Sequence, residues 1–142
     1  MSDVSNRYVV VVVDDQPIVR EFVRNALERC GHAVLTAADA ESCLRLMKER
    51  DGAVDLVLSD IVMPGMGGTH LAEILSREYP GTRVLLMTGM SEQEIPPRWS
   101  HSFLCKPFSA GALYQAVAAA LQGAPCRLRP HARAAKSDAQ GP

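Results

Sequence analysis

The sequence predicts an α/β protein built on an open five-stranded parallel sheet with helices on both faces. Three observations predict it. Short apolar, largely β-branched runs alternate with longer stretches whose apolar residues recur every three or four positions. The first run, Tyr8 to Val13, is almost all valine, as expected of a strand covered on both faces. Asp14, Asp15, Asp60, Thr88 and Lys106 each lie just past one of these runs, so a parallel sheet would gather them at one edge.

Tyr8 to Val13 is therefore strand one. Pro17 suits the first turn of a helix, and Ile18, Val19, Phe22, Val23, Ala26 and Leu27 carry its apolar repeat to about Cys30, before Gly31. Ala33 to Ala37 is a short second strand. Asp39 is the N-cap of a second helix with Leu44 and Met47 inward, ended by Asp51-Gly52. Asp55 to Ser59 is strand three, followed by the glycine-rich loop Met63 to Gly68 and a third helix through Leu71, Ile74 and Leu75, which stops near Tyr79-Pro80-Gly81. Arg83 to Met87 is strand four and Phe103 to Cys105 strand five. Ser109 caps a last helix with Leu113, Val117 and Leu121 on one face.

At 142 residues and 47% apolar composition the chain suits a single domain, here residues 8–122, with residues 1–7 and the Ala-, Pro- and Arg-rich segment 123–142 expected to be disordered. The formal charge of -1 argues against general nucleic-acid binding by the body of the protein. Too few apolar residues follow Leu121 for a DNA-binding module, so no direct DNA contact is expected. Arg127, Arg129, Arg133 and Lys136 are read as a solubilising end, with weak electrostatic contact to nucleic acid, membrane or an acidic partner as the alternative. Cys30, Cys43, Cys105 and Cys126 form no metal-binding pattern and are expected to be reduced thiols. No signal peptide and no membrane-length apolar run is visible, which sets the expectation of a cytoplasmic protein.

The predicted edge holds three carboxylates, a hydroxyl and an ammonium. Carboxylates so close repel one another unless a cation sits among them, and a lone lysine beside them suits a bound anion. The set fits a divalent metal together with a phosphoryl group. His70 is read as a solvated helix residue, and His32, His101 and His131 carry no stronger signal. Met63, Met66, Met87 and Met90 are read as gap fillers, not as a soft-metal site.

From Tyr8 to Leu121 the chain resembles the receiver domain of two-component response regulators. The resemblance rests on the Asp14-Asp15 pair, the segment Ser59-Asp60-Ile61-Val62-Met63-Pro64-Gly65-Met66-Gly67-Gly68, Met87-Thr88-Gly89 and Lys106-Pro107-Phe108. It implies a flavodoxin-like fold in which Asp60 is the phosphoacceptor, taking its phosphoryl group from a histidine kinase or phosphotransfer protein. It further implies Mg²⁺, with Mn²⁺ as a substitute, held by Asp14, Asp15, Asp60 and the main-chain carbonyl of Val62. Lys106 would pair with the phosphoryl oxygens and the Thr88 hydroxyl would turn in to meet them. Phe103 falls at the family's aromatic switch position and, without a hydroxyl, would differ between its two positions mainly by burial. The protein would signal by binding an unidentified downstream protein and would catalyse only its own phosphorylation and dephosphorylation.

The chain departs from the family in two places. The stretch from Thr88 to Lys106 is short and contains Pro96-Pro97, so the fourth helix is expected to be short or absent, leaving Ile95, Trp99 and Phe103 to form a different surface. Val62 and Met90 are apolar where members often carry groups that act on hydrolysis, so a long-lived phosphoaspartate is expected. Two other readings fit some of these residues. One is a receiver-like interaction module that phosphorylation does not switch. The other is a Mg²⁺-dependent phosphohydrolase, although Val62 stands where that chemistry wants a second acid.

Overall fold

The computed structural model describes residues 7–89, 95–99, 102–122 and 126–128. Met90, His101, His131, the expected disordered start up to residue 6 and the tail beyond Leu128 lie outside these residues. The strands are β1 (Val9–Val13), β2 (Ala33–Ala37), β3 (Leu56–Asp60), β4 (Arg83–Thr88), β5 (Ser102–Cys105) and β6 (Cys126–Leu128). The helices are α1 (Pro17–Arg29), α2 (Ala40–Glu49), α3 (Gly68–Glu78) and α4 (Ala110–Leu121). All strands are parallel, in the order β2-β1-β3-β4-β5-β6. The chain leaves β1 toward β2 on one side and resumes at β3 on the other, which opens a crevice at the carboxyl ends of β1 and β3.

The five expected strands and the four expected long helices form. The expected caps act as such: Asp39 accepts from the Ser42 N–H and Ser109 from the Ala112 N–H. Gly31 ends the α1 region at φ +93, a backbone conformation closed to most side chains. Asp60 and Thr88 are the last residues of their strands rather than the first beyond them.

The valine run shows why both faces must be covered. Val10 and Val12 pack with Val23 and Leu27 of α1 and Leu113 and Val117 of α4, whereas Val11 and Val13 face Cys43 and Met47 of α2 and Leu71 and Leu75 of α3. Each such side chain contributes about 1.5–3 kcal/mol when fully buried. Two expected inward positions are displaced. Ile18 is 82% exposed and Phe22 42%, because the buried stripe of α1 runs through Val23, Ala26 and Leu27. In α2 it is Cys43, not Leu44, that joins Met47 in full burial, and burial pushes its thiol up to about 12. Cys30 and Cys43 are free thiols.

The β4–β5 connection contains, among the described residues, only the 3₁₀ turn Pro97–Trp99, in line with the expected short or absent fourth helix. Arg98 fastens this turn to α3 through Ser76 Oγ at 3.0 Å and Glu73 at 3.9 Å, and its guanidinium lies 5.0 Å from the Trp99 ring. Ile95 and Trp99 pack over Phe103, Leu86 and Ala72. The sixth strand was not expected. Cys126–Leu128, in the segment read as disordered, pairs with β5 and occupies backbone groups that an edge strand would leave open.

At the opposite end of the sheet the Tyr8 N–H donates to His32 Nδ1 at 3.2 Å, with the two rings 5.6 Å apart, and the Val9 N–H donates to Asp55 Oδ2. Burial lowers the His32 imidazole below its ordinary value, with Asp55 opposing, and a protonated Nδ1 could not accept the Tyr8 N–H. The stability this histidine contributes is present above its unfolded-state value and lost as pH falls through its lower folded value. Melting temperature should therefore decline from about pH 7.5 to about pH 5.5, and decline less in His32→Gln. Parallel thermal melts of the two proteins across that interval test it.

Candidate functional site

Five residues chosen from the sequence converge at the carboxyl edge of the sheet. Asp14 follows β1, and its N–H donates to the Ala37 carbonyl, prolonging the β1–β2 ladder by one step. Its carboxylate is fully buried. Oδ1 accepts from the Gln16 N–H at 2.9 Å and Oδ2 from Lys106 Nζ at 2.8 Å. Asp60 ends β3, and its Oδ2 lies 3.2 Å from the same Nζ. Lys106 thus bridges carboxylates from two strands. Its own N–H donates to the Thr88 carbonyl at 2.8 Å, which continues the β4–β5 pairing and sets buried Thr88 beside it. The Lys106–Pro107 bond is cis.

Asp14, Asp15 and Asp60 each offer a carboxylate oxygen within 4.8 Å of the others. Six oxygens around a small divalent cation at 2.0–2.1 Å lie about 3–4 Å apart, so a slight contraction would bring this set into one coordination sphere. The donors are all oxygen, which suits a hard cation and not copper or zinc. The residues fit the group.

The electrostatics agree. Burial lifts the Asp60 carboxyl above its ordinary value; Lys106 opposes this, Asp14 adds to it, and a hydrogen bond from the Val62 N–H opposes it. Burial by itself would lower the Lys106 ammonium, but its hydrogen bond to Asp14 and the charges of Asp60 and Asp14 carry it above its usual value. The lysine stays charged and the carboxylates remain short of positive charge, an arrangement that a cation would relieve.

The other residues singled out from sequence lie around this cluster. Val62 is 61% exposed beside Asp60. His70 is exposed on α3, whereas Met63 and Met87 are buried in the core. Phe103 is fully buried beneath the 3₁₀ turn.

Three supporting residues were not singled out. Gly68 opens α3 so close to β3 that a Cβ there would overlap the Asp60 carbonyl oxygen and lie 2.9 Å from its carbon. Ser59 Oγ donates to that same carbonyl at 2.9 Å. Arg20 reaches back from the first turn of α1 to donate to the Asp14 carbonyl at 2.7 Å. The Gly67-Gly68 pair was a visible signal for the first; the others are ordinary polar residues until the fold brings them near.

The chain is similar to known proteins over most of its length. The sensor kinase CckA of Brucella abortus is 34% identical over 120 residues, which make up 82% of this chain but 13% of that protein. The chain spans between 13% and 24% of the length of such curated relatives as CckA and the response regulator protein FleR of Pseudomonas aeruginosa. A response regulator receiver domain protein from Clostridium thermocellum superposes with a TM-score of 0.74 at 25% identity, covering 82% of this chain and 95% of its own. The response regulator protein TrrA of Thermotoga maritima, solved in complex with Mg²⁺ and BeF, gives 0.69 at 29% identity over 78% of this chain and 96% of its own. The response regulator receiver domain family matches residues 10–118, which take in every strand-end residue of the acidic edge, and the chain belongs to that family.

Proposed function

We propose that Asp60 accepts a phosphoryl group from a histidine kinase or phosphotransfer protein and that the phosphorylated domain signals by binding another protein. The observation that carries this is Lys106 Nζ held between Asp14 and Asp60 at 2.8 and 3.2 Å, beside a third carboxylate within metal reach. In the transfer an Asp60 oxygen attacks phosphorus, the P–N bond to the donor imidazole breaks, and the imidazole leaves with the bonding pair. Lys106, already charged and only half-buried, would leave the carboxylates to meet the incoming phosphoryl oxygens. Thr88, at the end of the neighbouring strand, would hydrogen-bond one of them. Asp14, Asp15, Asp60 and the Val62 carbonyl would hold Mg²⁺, with Mn²⁺ as a substitute, and the bound cation would neutralise charge on the transferred group. The exposed Val62 side chain has no group to orient a hydrolytic water, which favours a long-lived phosphoaspartate. The likeness to part of a sensor kinase supports a donor from a two-component system, and a cytoplasmic setting without direct DNA binding belongs to the same reading.

One observation favours a second reading, the interaction module that phosphorylation does not switch: Phe103 is already fully buried under Ile95 and Trp99. Intact mass and Trp99 fluorescence after addition of Mg²⁺ and acetyl phosphate, with a beryllofluoride titration alongside, separate the two. One added phosphoryl group on the wild type and none on Asp60→Asn is the expected result. A fluorescence change on phosphorylation or beryllofluoride binding supports a working switch, and its absence supports the second reading. Absence of both phosphorylation and beryllofluoride binding would overturn the phosphoacceptor role.

A further inference from the structure

We propose that Arg20 is a positioning residue for the acidic edge: its guanidinium sets the Asp14–Asp15 peptide and so holds the Asp15 carboxylate where the cation must bind. This rests on the metal-assisted phosphoacceptor reading above. Only Asp14, Asp15 and Gln16 turn the chain from β1 into α1. Asp14 is tethered at its amide by Ala37, at one carboxylate oxygen by Gln16 and at the other by Lys106. Asp15 differs. Its side chain is exposed, and among the described residues no hydrogen bond or ion pair holds it. Its carboxylate nevertheless lies within 4.8 Å of those of Asp14 and Asp60.

The placement of that carboxylate must therefore come from the backbone. The peptide joining Asp14 to Asp15 has one strong external partner, Arg20 Nη1 at 2.7 Å from the Asp14 carbonyl oxygen, a charge-assisted bond at the short end of its range. Arg20 is itself anchored, since its N–H donates to the Gln16 carbonyl as the first hydrogen bond of α1. The helix thus reaches back by two bonds, main-chain and side-chain, to the loop it follows. Without the guanidinium the 14–15 peptide can rotate, and Asp15 then samples positions away from the other two carboxylates. Outer residues that orient metal ligands in this way typically contribute 10- to 100-fold to metal affinity.

The test is Mg²⁺ affinity by calorimetry on the full chain, with hydrogen exchange at the Asp15 and Gln16 amides of the metal-free protein. Arg20→Met should weaken Mg²⁺ binding about tenfold and speed exchange at both amides. Arg20→Lys keeps the charge but not the planar fork, and should recover only part of the affinity. Arg24→Met perturbs the same helix, where Arg24 pairs with surface Glu21, and should match the wild type. Unchanged affinity and exchange in Arg20→Met would overturn the proposal. So would full recovery in Arg20→Lys, which would reduce the effect to charge alone. If the wild type bound no Mg²⁺, or bound it equally in Asp60→Asn, the phosphoacceptor reading would fall as well.

Discussion

Replacing Gly68 with alanine is expected to destabilise the protein by about 3 kcal/mol, the upper end of the range for overpacking. The sign is the informative part. Alanine has the better helix propensity, by up to about 1 kcal/mol, and on that ground alone Gly68→Ala at the head of α3 would stabilise. Against this, the added Cβ would meet the carbonyl group of Asp60 and the Ile61 Cα at 2.9 Å, all backbone atoms at the end of the strand that carries Asp60. Neither a rotamer change nor a side-chain shift relieves such a contact. The start of α3 must move away, which strains the Gly68 N–H to Ile61 carbonyl bond and tilts the segment that ends in Asp60. Urea unfolding measures the loss. Mg²⁺ titration of the same variant should show weaker binding, and a variant as stable as the wild type would show that this close approach is not needed.

The second large effect is expected at Lys106. In the metal-free protein, Lys106→Met takes the bridging lysine from a site with three carboxylates, one of them fully buried. Leaving an ion without its buried partner costs about 3–5 kcal/mol, and partial exposure of Lys106 and Asp60 reduces the expectation to roughly 2–4 kcal/mol. Added Mg²⁺ should recover more stability in this variant than in the wild type, because the cation supplies the missing charge. Asp60→Asn should act in the opposite sense. Burial and Asp14 make the ionised Asp60 unfavourable in the metal-free fold, so a neutral isostere should leave stability unchanged or raise it. Urea unfolding of the three proteins with and without Mg²⁺ decides. Equal midpoints for Lys106→Met and the wild type without metal would show that the bridge contributes nothing to stability.

Strand and helix order was legible because each element carries its own period and its own punctuation. Val9–Val13 reads as a doubly covered strand from composition, Pro17 marks the start of α1, and Asp39 and Ser109 mark caps that the structure confirms. Pro96-Pro97 pointed to a short or absent fourth helix for a local reason, the missing donors and the restriction on Ile95, and among the described residues the β4–β5 connection holds only the turn Pro97–Trp99. Three-residue β6 was not legible, because a run so short has no period; it forms on pairing groups that β5 offers from 24 residues earlier, taking Ser102 with Cys126. Ile18 and Phe22 fit the helical repeat of α1 yet remain largely exposed, since a repeat gives a face but not how far the neighbouring layer extends over it.

By itself the sequence determined the parallel α/β architecture and brought Asp14, Asp15, Asp60, Thr88 and Lys106 to one edge, because strand direction follows from alternation with helices and each residue sits at a strand's end. Only the tertiary structure decided how those groups are held. Lys106 meets Asp14 across 92 positions of sequence and Asp60 across 46, Gly68 is excluded from being any other residue by the Asp60 backbone, and Arg20 secures the loop beneath Asp15. Local propensity acts over a few residues, whereas hydrogen bonds, charge pairing and steric exclusion act over a few ångströms, and the fold decides which residues come that close.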